Sequence, residues 1–232
     1  MLSIVATPIG NLKDITLRAI DTLTNAAGIV CEDTRVTGGL LHQLNIPKKE
    51  LIAMHGYSNP KILDTVIARL LAGEHLALVS DAGTPGISDP GYALVSKCRE
   101  HGIMMEVIPG PSAFLSALSV SGLPINHFVY LGFLPMKKGR KRLLASFVET
   151  DDTIVFYESV HRIEKTLNEL AEALASQPDR PVVIARELTK FHETVEQTTV
   201  AGLADATKRL VQKGEFVIVI GAYGRNNQGH DE

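Results

Sequence analysis

The alternation of apolar runs with helical segments is the feature that most limits what this chain can fold into. Short apolar runs occupy residues 2–6, 28–32, 50–55, 75–80 and 104–108, and the segments between them have helical spacing. Alternation of this kind predicts a mostly parallel sheet covered by helices. In such sheets the loops at the carboxyl ends of the strands form the binding crevice.

One predicted helix carries clear signals at both ends. Asn59 is a candidate N-cap, Pro60 suits the first helical position, and Gly73 is a stop signal. Apolar residues between these ends fall on one stripe, at Ile62, Leu63, Val66, Ile67, Leu70 and Leu71. The pattern predicts an amphipathic helix that packs on the sheet.

The strand-like runs become more β-branched and aromatic after about residue 121. Candidate strands cover residues 128–133, 153–157, 181–186, 194–200 and 216–222, with helices near 139–148, 160–175 and 203–213. We therefore expect an α/β fold with two lobes, an N-terminal lobe at 1–122 and a C-terminal lobe at 123–223, followed by a polar tail at 224–232.

Composition and charge exclude several classes of protein. Hydrophobic residues make up 45% and charged residues 21%, which indicates a globular chain. The net charge of -3 argues against a protein that coats nucleic acid over its whole surface, although a local patch is compatible with it. The start lacks a basic segment and no apolar run approaches the ~20 residues of a membrane span, so we expect a soluble, cytoplasmic protein.

The loop at residues 79–91 is the strongest candidate for a binding element. Its sequence, Val-Ser-Asp-Ala-Gly-Thr-Pro-Gly-Ile-Ser-Asp-Pro-Gly, follows an apolar strand. Glycine permits backbone conformations closed to other residues and proline stiffens the path, so main-chain groups can approach a ligand closely. A long surface turn with a helix N-cap at Ser88 or Asp89 is the alternative interpretation.

Familiar cofactor motifs are missing from the sequence. A dinucleotide site needs Gly-x-Gly-x-x-Gly after the first strand, where this chain has Thr-Pro-Ile-Gly-Asn-Leu with one glycine. A P-loop is absent, and no His/Cys/Asp/Glu cluster has zinc-like spacing, so we expect no metal. Cys31 and Cys98 are expected to be reduced core residues.

Seven ordered motifs, between residue 2 and about 222, carry a resemblance to a known family. They are Thr-Pro-Ile-Gly-Asn-Leu-x-Asp-Ile-Thr at 7–16, Glu-Asp-Thr-Arg at 32–35, Ser-Asp-Ala-Gly-Thr-Pro-Gly-Ile-Ser-Asp-Pro-Gly at 80–91, Pro-Gly-Pro-Ser-Ala at 109–113, Gly-Phe-Leu-Pro at 132–135, Phe-Tyr-Glu-Ser-Val-His-Arg at 156–162 and Ala-Arg-Glu-Leu-Thr-Lys at 185–190. Together they resemble the ribosomal RNA small-subunit methyltransferase I family, which belongs to the tetrapyrrole-methylase-like, or class III, methyltransferases.

The resemblance implies S-adenosylmethionine-dependent 2'-O-methylation of a cytidine in 16S ribosomal RNA near the decoding centre, with 16S rRNA or the small subunit as partner. It implies two α/β lobes, a mostly parallel sheet in the first and a mixed sheet in the second, with the cofactor in the cleft between them, usually in a homodimer. Family members often continue into a helical C-terminal extension, whereas this chain ends soon after its last predicted strand.

The resemblance also implies the cofactor contacts. They fall at Ile9, Asp81, Thr84, Ser112, Ala113, Tyr157 and Leu188. Asp81 has a turn or helix cap as its alternative role. Ser112 is also a candidate N-cap, because a helix-like segment follows it, and the two roles are compatible.

Methyl transfer from a sulfonium is an in-line displacement, so alignment and removal of the hydroxyl proton should dominate catalysis. Asp33 and Glu158 are the candidate bases, and Arg35 or His161 the candidates that position phosphate or ribose. Each has a structural alternative. Asp33 can cap a helix with Arg35 as its ion-pair partner, Glu158 and Arg162 can form a surface pair, and His161 can be a satisfied polar residue.

A basic run follows the Gly-Phe-Leu-Pro motif. It contains Lys137, Lys138, Arg140, Lys141 and Arg142, and Lys190 is a candidate to add to it. A local cluster of cations in a slightly acidic protein predicts phosphate contacts with RNA. A solvated helix start is the alternative.

Two other functions compete with an RNA ribose methyltransferase. A small-molecule methylase of the same superfamily acts on a tetrapyrrole, and such members usually carry Gly-x-Gly-x-Gly-Asp in the first loop, where this chain has Pro-Ile-Gly-Asn. The second competing function is that of a non-catalytic RNA-binding or ribosome-assembly factor. Binding of S-adenosylmethionine distinguishes the methylases from a factor that does not bind the cofactor.

Overall fold

The chain divides into two compact units. The structure is a computed structural model that describes residues 1–54, 60–88 and 91–224, and its units are Met1–Ser112 and Ala113–Glu232. The division at Ser112 differs from the sequence prediction, which ends the N-terminal lobe at residue 122. The difference is helix α5 (Ala113–Val120), which packs against strands of the second unit.

A parallel sheet forms the centre of the first unit. Its strands are β1 (Leu2–Val5), β2 (Gly28–Cys31), β3 (Glu50–Ala53), β4 (Leu76–Leu78) and β5 (Met105–Ile108). The five strands lie in the order β3-β2-β4-β1-β5 and all pair in parallel. The parallel α/β arrangement expected from the alternation is therefore confirmed.

Helices cover both faces of this sheet. They are α1 (Leu17–Asn25), α2 (Thr34–Gln43), α3 (Pro60–Leu71) and α4 (Tyr92–Glu100). Leu23 of α1 and Leu41 of α2 belong to one apolar cluster, and Val66 of α3 and Leu94 of α4 belong to another. Two separate clusters mean that each face of the sheet has its own core.

The predicted ends of α3 agree with the structure where it is described. The helix begins at Pro60, whose fixed φ suits the first turn. Gly73 follows it with a φ of 92°, a left-handed conformation that glycine adopts without strain. The predicted cap of this helix, Asn59, lies outside the described residues, as does Asp89, a candidate cap in the loop at 79–91.

A mixed sheet forms the centre of the second unit. Its strands are β6 (Phe128–Phe133), β7 (Thr153–Ser159), β8 (Pro181–Arg186), β9 (Thr194–Thr199) and β10 (Glu215–Ile220). They lie in the order β6-β7-β10-β8-β9, in which β6 and β7 are parallel and the other neighbours are antiparallel. This confirms the mixed sheet that the resemblance implies.

Helices α6 (Arg140–Ser146), α7 (Ile163–Ala173) and α8 (Leu203–Arg209) share the main core of this unit. Leu144, Leu167 and Leu203 are buried in it beside Phe156 and Ile218 of the sheet. Helix α6 is shorter than predicted, because the chain tightens into a 3-10 turn at Phe147–Glu149.

Cys31 and Cys98 are free thiols in the first unit, and both are buried. Burial raises the pKa of each thiol, so both stay protonated at neutral pH.

None of the helices within residues 1–54, 60–88 and 91–224 combines the length and the hydropathy that a membrane span requires. The same residues contain no group of three or more His, Cys, Asp or Glu side chains that could hold a metal ion.

Candidate active site

The connections of the first sheet change direction between β1 and β4. After β1 the chain passes β4 to reach β2, and after β4 it passes β1 to reach β5. Helix α1 makes the first connection and α4 lies on the second, and these helices belong to different apolar clusters. Ligands of open α/β sheets bind outside the carboxyl ends of strands at such a switch point. The loops after β1 and β4 therefore mark the candidate site.

A two-way backbone bridge joins these two loops. The amide of Thr7 donates to the carbonyl of Gly83 at 2.9 Å, and the amide of Gly83 donates to the carbonyl of Thr7 at 3.0 Å. Gly83 has a φ of 79°, in the left-handed region where a side chain is strained. The hydroxyl of Thr7 also donates to the carbonyl of Ser80 at 3.1 Å. Each loop therefore holds the other in place.

The loop after β5 packs onto the same pair. The hydroxyl of Thr84 donates to the carbonyl of Pro111 at 3.3 Å. A Cβ at Gly110 would lie 3.0 Å from the Cβ of Ala6, which is tighter than side chains normally pack. Glycine at this position lets the loop after β5 approach the end of β1.

Four of the predicted cofactor residues lie in the loops at the switch point. Ile9 is buried, and its Cγ2 atom is 3.5 Å from the place where a Cβ at Gly83 would lie. Asp81 accepts a hydrogen bond from the amide of Asp33 at 3.0 Å, which ties the loop after β4 to the loop after β2. Thr84 holds Pro111, and the buried Ser112 follows directly.

The second sheet brings the remaining predicted contacts to one of its edges. Phe133 at the end of β6 pairs in parallel register with Tyr157 near the end of β7. Strands β7 and β8 are both antiparallel to β10, so their carboxyl ends lie at the same edge. Leu188 follows β8 with its side chain buried, between Glu187 at a φ of 52° and Thr189 at a φ of 65°.

An aromatic cluster surrounds Tyr157. Its hydroxyl accepts a hydrogen bond from the amide of Phe114 at 3.3 Å, one residue after Ala113 begins helix α5. The Tyr157 ring lies 5.5 Å from the rings of both Tyr130 and Phe133. Tyr130 in turn stacks on Phe114 with ring centroids 4.3 Å apart. Ala113 and Tyr157 are thus brought together within the second unit, and Phe114 links them.

Asp33 and Arg35 form an ion pair at the start of α2. Asp33 is the N-cap of the helix and accepts from the Arg35 amide at 2.8 Å. The Arg35 side chain also binds the carboxylate, with Nη2 2.5 Å from Oδ2. These hydrogen bonds hold the pKa of Asp33 well below its usual range. The helix cap and the ion pair are both present, and they make Asp33 a weaker base than an ordinary carboxylate.

Glu158 does not have the exposed position that a base acting on RNA requires. It is 1% exposed, and its Oε2 atom accepts from the hydroxyl of Thr166 at 2.7 Å. Its Oε1 atom is 2.7 Å from Nε of Arg162 and accepts from the amide of Ser159 at 2.7 Å. The predicted partner Arg162 is correct, but the pair is buried rather than on the surface. Because protein groups enclose the carboxylate, we correct its role to a structural one.

Arg140 differs from the rest of the basic run. Its side chain is buried, with Nε donating to Glu169 at 2.7 Å and Nη2 donating to the hydroxyl of Thr166 at 2.6 Å. Its predicted role as a phosphate contact is therefore wrong in this structure. The other four residues of the run are exposed: Lys137, Lys138, Lys141 and Arg142.

Two further predicted RNA contacts have acidic surroundings. The ammonium of Lys190 lies 2.9 Å from Glu187 and 2.7 Å from Glu215, so its charge is already neutralised and the predicted phosphate contact is not supported. The exposed His161 lines a shallow polar groove on α7, where three carboxylates outnumber the single ammonium of Lys165; the other lining residues are Glu164, Asn168, Glu169 and Glu172. Carboxylates around a groove disfavour a phosphate.

Two arginines that were not predicted from the sequence to act together hold the chain after Phe133. Nη1 of Arg162 donates to the carbonyl of Leu134 at 2.9 Å, and Nη1 of Arg140 donates to the carbonyl of Pro135 at 3.2 Å. One signal was available. Arg140, Leu144 and Phe147 have helical spacing, which places the arginine on the buried face of its helix.

Comparison with known proteins identifies close relatives over nearly the whole chain. Residues 1–204 match the family Tetrapyrrole (Corrin/Porphyrin) Methylases. The "Ribosomal RNA small subunit methyltransferase I" of Vibrio cholerae is 46% identical over 228 residues, which cover 96% of this chain and 77% of that protein. The protein of the same name from Thermotoga maritima is 43% identical over 219 residues, covering 94% of this chain and 97% of that one.

Solved structures share the fold at lower identity. Cobalt precorrin-4 methyltransferase matches with a TM-score of 0.67 and 21% identity, covering 95% of this chain and 94% of that one. Uroporphyrin-III C-methyl transferase from Thermus thermophilus, solved with S-adenosyl homocysteine, matches with a TM-score of 0.64 and 20% identity, covering 95% and 96%.

We predict that Glu158→Gln lowers the free energy of unfolding by about 3 kcal/mol, because it leaves buried arginine charge without its carboxylate. Denaturant unfolding of the variant measures the loss. Glu172→Gln is the matched control, since it makes the same change at an exposed position of α7 and should cost less than about 0.5 kcal/mol. Equal stability of the two variants would contradict the structural role of Glu158.

Proposed function

Because the chain belongs to the ribosomal RNA small subunit methyltransferase I family, we propose that it methylates the ribose 2'-oxygen of a cytidine in 16S ribosomal RNA near the decoding centre. The observation that carries the proposal is the similarity to relatives of that name over nearly the whole chain. The switch-point loops support it, since they put a set of main-chain groups where α/β sheets bind ligands.

The protein is a methyltransferase that uses S-adenosylmethionine. When bound, this donor supplies an electrophilic methyl group on a positively charged sulfur. The residues at the switch point fit such a molecule. The carboxylate of Asp81 favours positive charge, and glycine at 83 and 110 lets the loops after β4 and β5 approach the end of β1 without side-chain bulk.

We propose that the donor contacts are those implied by the family motifs. They are Ile9, Asp81, Thr84, Ser112, Ala113, Tyr157 and Leu188. Ile9 and Leu188 have buried side chains, so they would act through main-chain groups. Asp81 and Tyr157 retain partly exposed side chains. The position of the donor between the two lobes, which the resemblance implies, stays a prediction.

Catalysis in this proposal comes mainly from alignment of the ribose hydroxyl. Of the two carboxylates considered as bases, Asp33 keeps a partly exposed side chain, whereas Glu158 is enclosed. Arg35 lowers the pKa of Asp33, so the carboxylate stays ionised but accepts a proton weakly. We assign Asp33 as the acceptor of the hydroxyl proton, with positioning as the larger contribution to rate.

We assign RNA binding to the four exposed cations Lys137, Lys138, Lys141 and Arg142. They follow one another on the surface before and within α6, and Arg140 anchors that helix from inside. A concentration of positive charge in one short exposed segment favours phosphate contacts. A homodimer, which the resemblance implies, and a cytoplasmic location, which we expect from the sequence, belong to the proposal as well.

Methyl transfer to small ribosomal subunits tests the proposed function directly. Subunits from a strain that lacks the enzyme would be incubated with the protein and radioactive S-adenosylmethionine, and the label mapped by nuclease digestion. We expect label on the ribose of a cytidine in 16S ribosomal RNA. Label on a base, or transfer to a porphyrin substrate while the subunits stay unlabelled, would contradict the proposal.

We predict that Gly83→Ala weakens binding of S-adenosylmethionine, because a side chain at a φ of 79° strains the bridge to Thr7. Calorimetric titration measures the affinity. Gly102→Ala is the control, since Gly102, in the turn after α4, has a φ of 63° and no atom of the described residues would lie within 4 Å of its Cβ. Both variants should lose about 1–2 kcal/mol of stability, but only Gly83→Ala should lose donor affinity. Equal donor affinity in the two variants contradicts the assignment of this loop.

We predict that changing Lys137, Lys138, Lys141 and Arg142 together to Ala weakens RNA binding and leaves donor affinity unchanged. The slope of log affinity against log salt is negative, and removal of each cation that binds a phosphate should make it shallower by about 0.7. A filter-binding series over salt concentration measures it. Lys208→Ala with Arg209→Ala on α8 is the control, because both side chains are exposed and lie outside the run. An unchanged slope in the fourfold variant rules out this surface as the phosphate-binding surface.

A further inference from the structure

We infer that Phe133 is a stacking platform for an unpaired base of the RNA substrate, and that the Glu158 network holds it in position. The inference rests on the proposed function and specifies how the RNA is bound. It combines three features of the second unit: an exposed aromatic ring, buried arginines that hold the chain after it, and a run of exposed cations.

The ring of Phe133 is exposed on one side and supported on the other. Phe133 is 55% exposed at the carboxyl end of β6. Its ring lies 5.5 Å from the ring of Tyr157 at an angle of 58°, and the Tyr157 hydroxyl is itself bound to the amide of Phe114. An exposed ring with a rigid support offers a flat apolar surface to another ring at a small cost in side-chain entropy.

The chain directly after Phe133 is fixed from inside the protein. Leu134 is buried, and its carbonyl accepts from Arg162, while the next carbonyl, that of Pro135, accepts from Arg140. Both arginines face the buried carboxylate of Glu158, at 2.7 Å from Nε of Arg162 and 3.8 Å from Nη2 of Arg140. The charge network therefore sets the path of the main chain that carries the exposed ring.

The charge beside Phe133 favours RNA as the occupant. Lys137, Lys138, Lys141 and Arg142 follow it in the sequence and are exposed. A positively charged surface with aromatic rings is the combination that binds single-stranded RNA, because bases stack on the rings while phosphates meet the cations. Tyr157, the neighbour of Phe133, is a proposed donor contact. A base on Phe133 therefore belongs to the reacting nucleotide or to one beside it.

Phe191 provides the contrast. It is 97% exposed in the turn between β8 and β9, so it is more accessible than Phe133. The carboxylates of Glu187 and Glu215 flank Lys190 next to it, and Glu193 accepts from the amide of Thr189 in the same turn. Acidic surroundings repel phosphates, so exposure alone does not make Phe191 a site for RNA.

Substitution of the two phenylalanines tests the inference. Fluorescence anisotropy with a short, labelled single-stranded RNA would compare the wild type with Phe133→Ala, Phe133→Tyr and Phe191→Ala. We expect Phe133→Ala to raise Kd by about 5- to 100-fold, the range that loss of one base–aromatic stack gives. Phe133→Tyr, which keeps the ring, and Phe191→Ala should both bind like the wild type. The affinity for S-adenosylmethionine should stay unchanged in all three.

Three results would overturn the inference. The first is that Phe133→Ala binds the RNA as tightly as the wild type does. A fall in donor affinity as large as the fall in RNA affinity is the second, because the ring would then support the donor. The third is a molar mass of Phe133→Ala in light scattering that differs from that of the wild type while its RNA affinity is retained. The ring would then lie between copies of the chain.

The methylation assay separates this inference from the proposed function. If the wild type labels small subunits and Phe133→Ala has the same KM for them, the stacking role fails and the proposed function stands. If the wild type leaves subunits unlabelled while the RNA-binding contrast between Phe133→Ala and Phe191→Ala holds, the proposed function fails and the stacking surface stands.

Discussion

The backbone bridge between Thr7 and Gly83 is the constraint on which the candidate site depends. It joins the two loops at the point where the sheet connections diverge, so neither loop can move without the other. Thr84 then fixes the loop after β5, and Asp81 fixes the loop after β2. Four loops become one surface of peptide groups, which agrees with the absence of a glycine-rich phosphate motif in the sequence. The protein prepares the site with main-chain geometry rather than with a cluster of charges.

The second unit is organised around a buried charge instead. Glu158 collects Arg162, Thr166 and, more distantly, Arg140, and the two arginines fix the carbonyls after Phe133. Breaking a buried pair of this kind is costly, because it leaves a buried charge without a partner. The basic run is thus divided by burial. Arg140 stabilises the fold, and its exposed neighbours are left to bind phosphates.

The sequence predicts the features that depend on local pattern. Alternating periods give the order of strands and helices, and the Gly and Pro residues of the loop at 79–91 indicate a binding element. Features that depend on residues far apart in the sequence could not be predicted from local pattern. Lys190 looks like a free cation until the fold brings Glu215 to it, and Glu158 looks like an accessible base until α7 covers it. Helix α5 has no pattern that assigns it to one lobe, whereas in the structure its contacts with β7 and β10 group it with the second unit.

Hydrogen exchange with and without S-adenosylmethionine measures most directly whether the loops at the switch point hold the donor. The account predicts that the donor slows exchange of amides in residues 7–12, 80–88 and 109–113, because they form one connected surface. Amides on the opposite, amino-terminal ends of the same strands should be unaffected. Protection confined to segments other than these three loops would contradict the account.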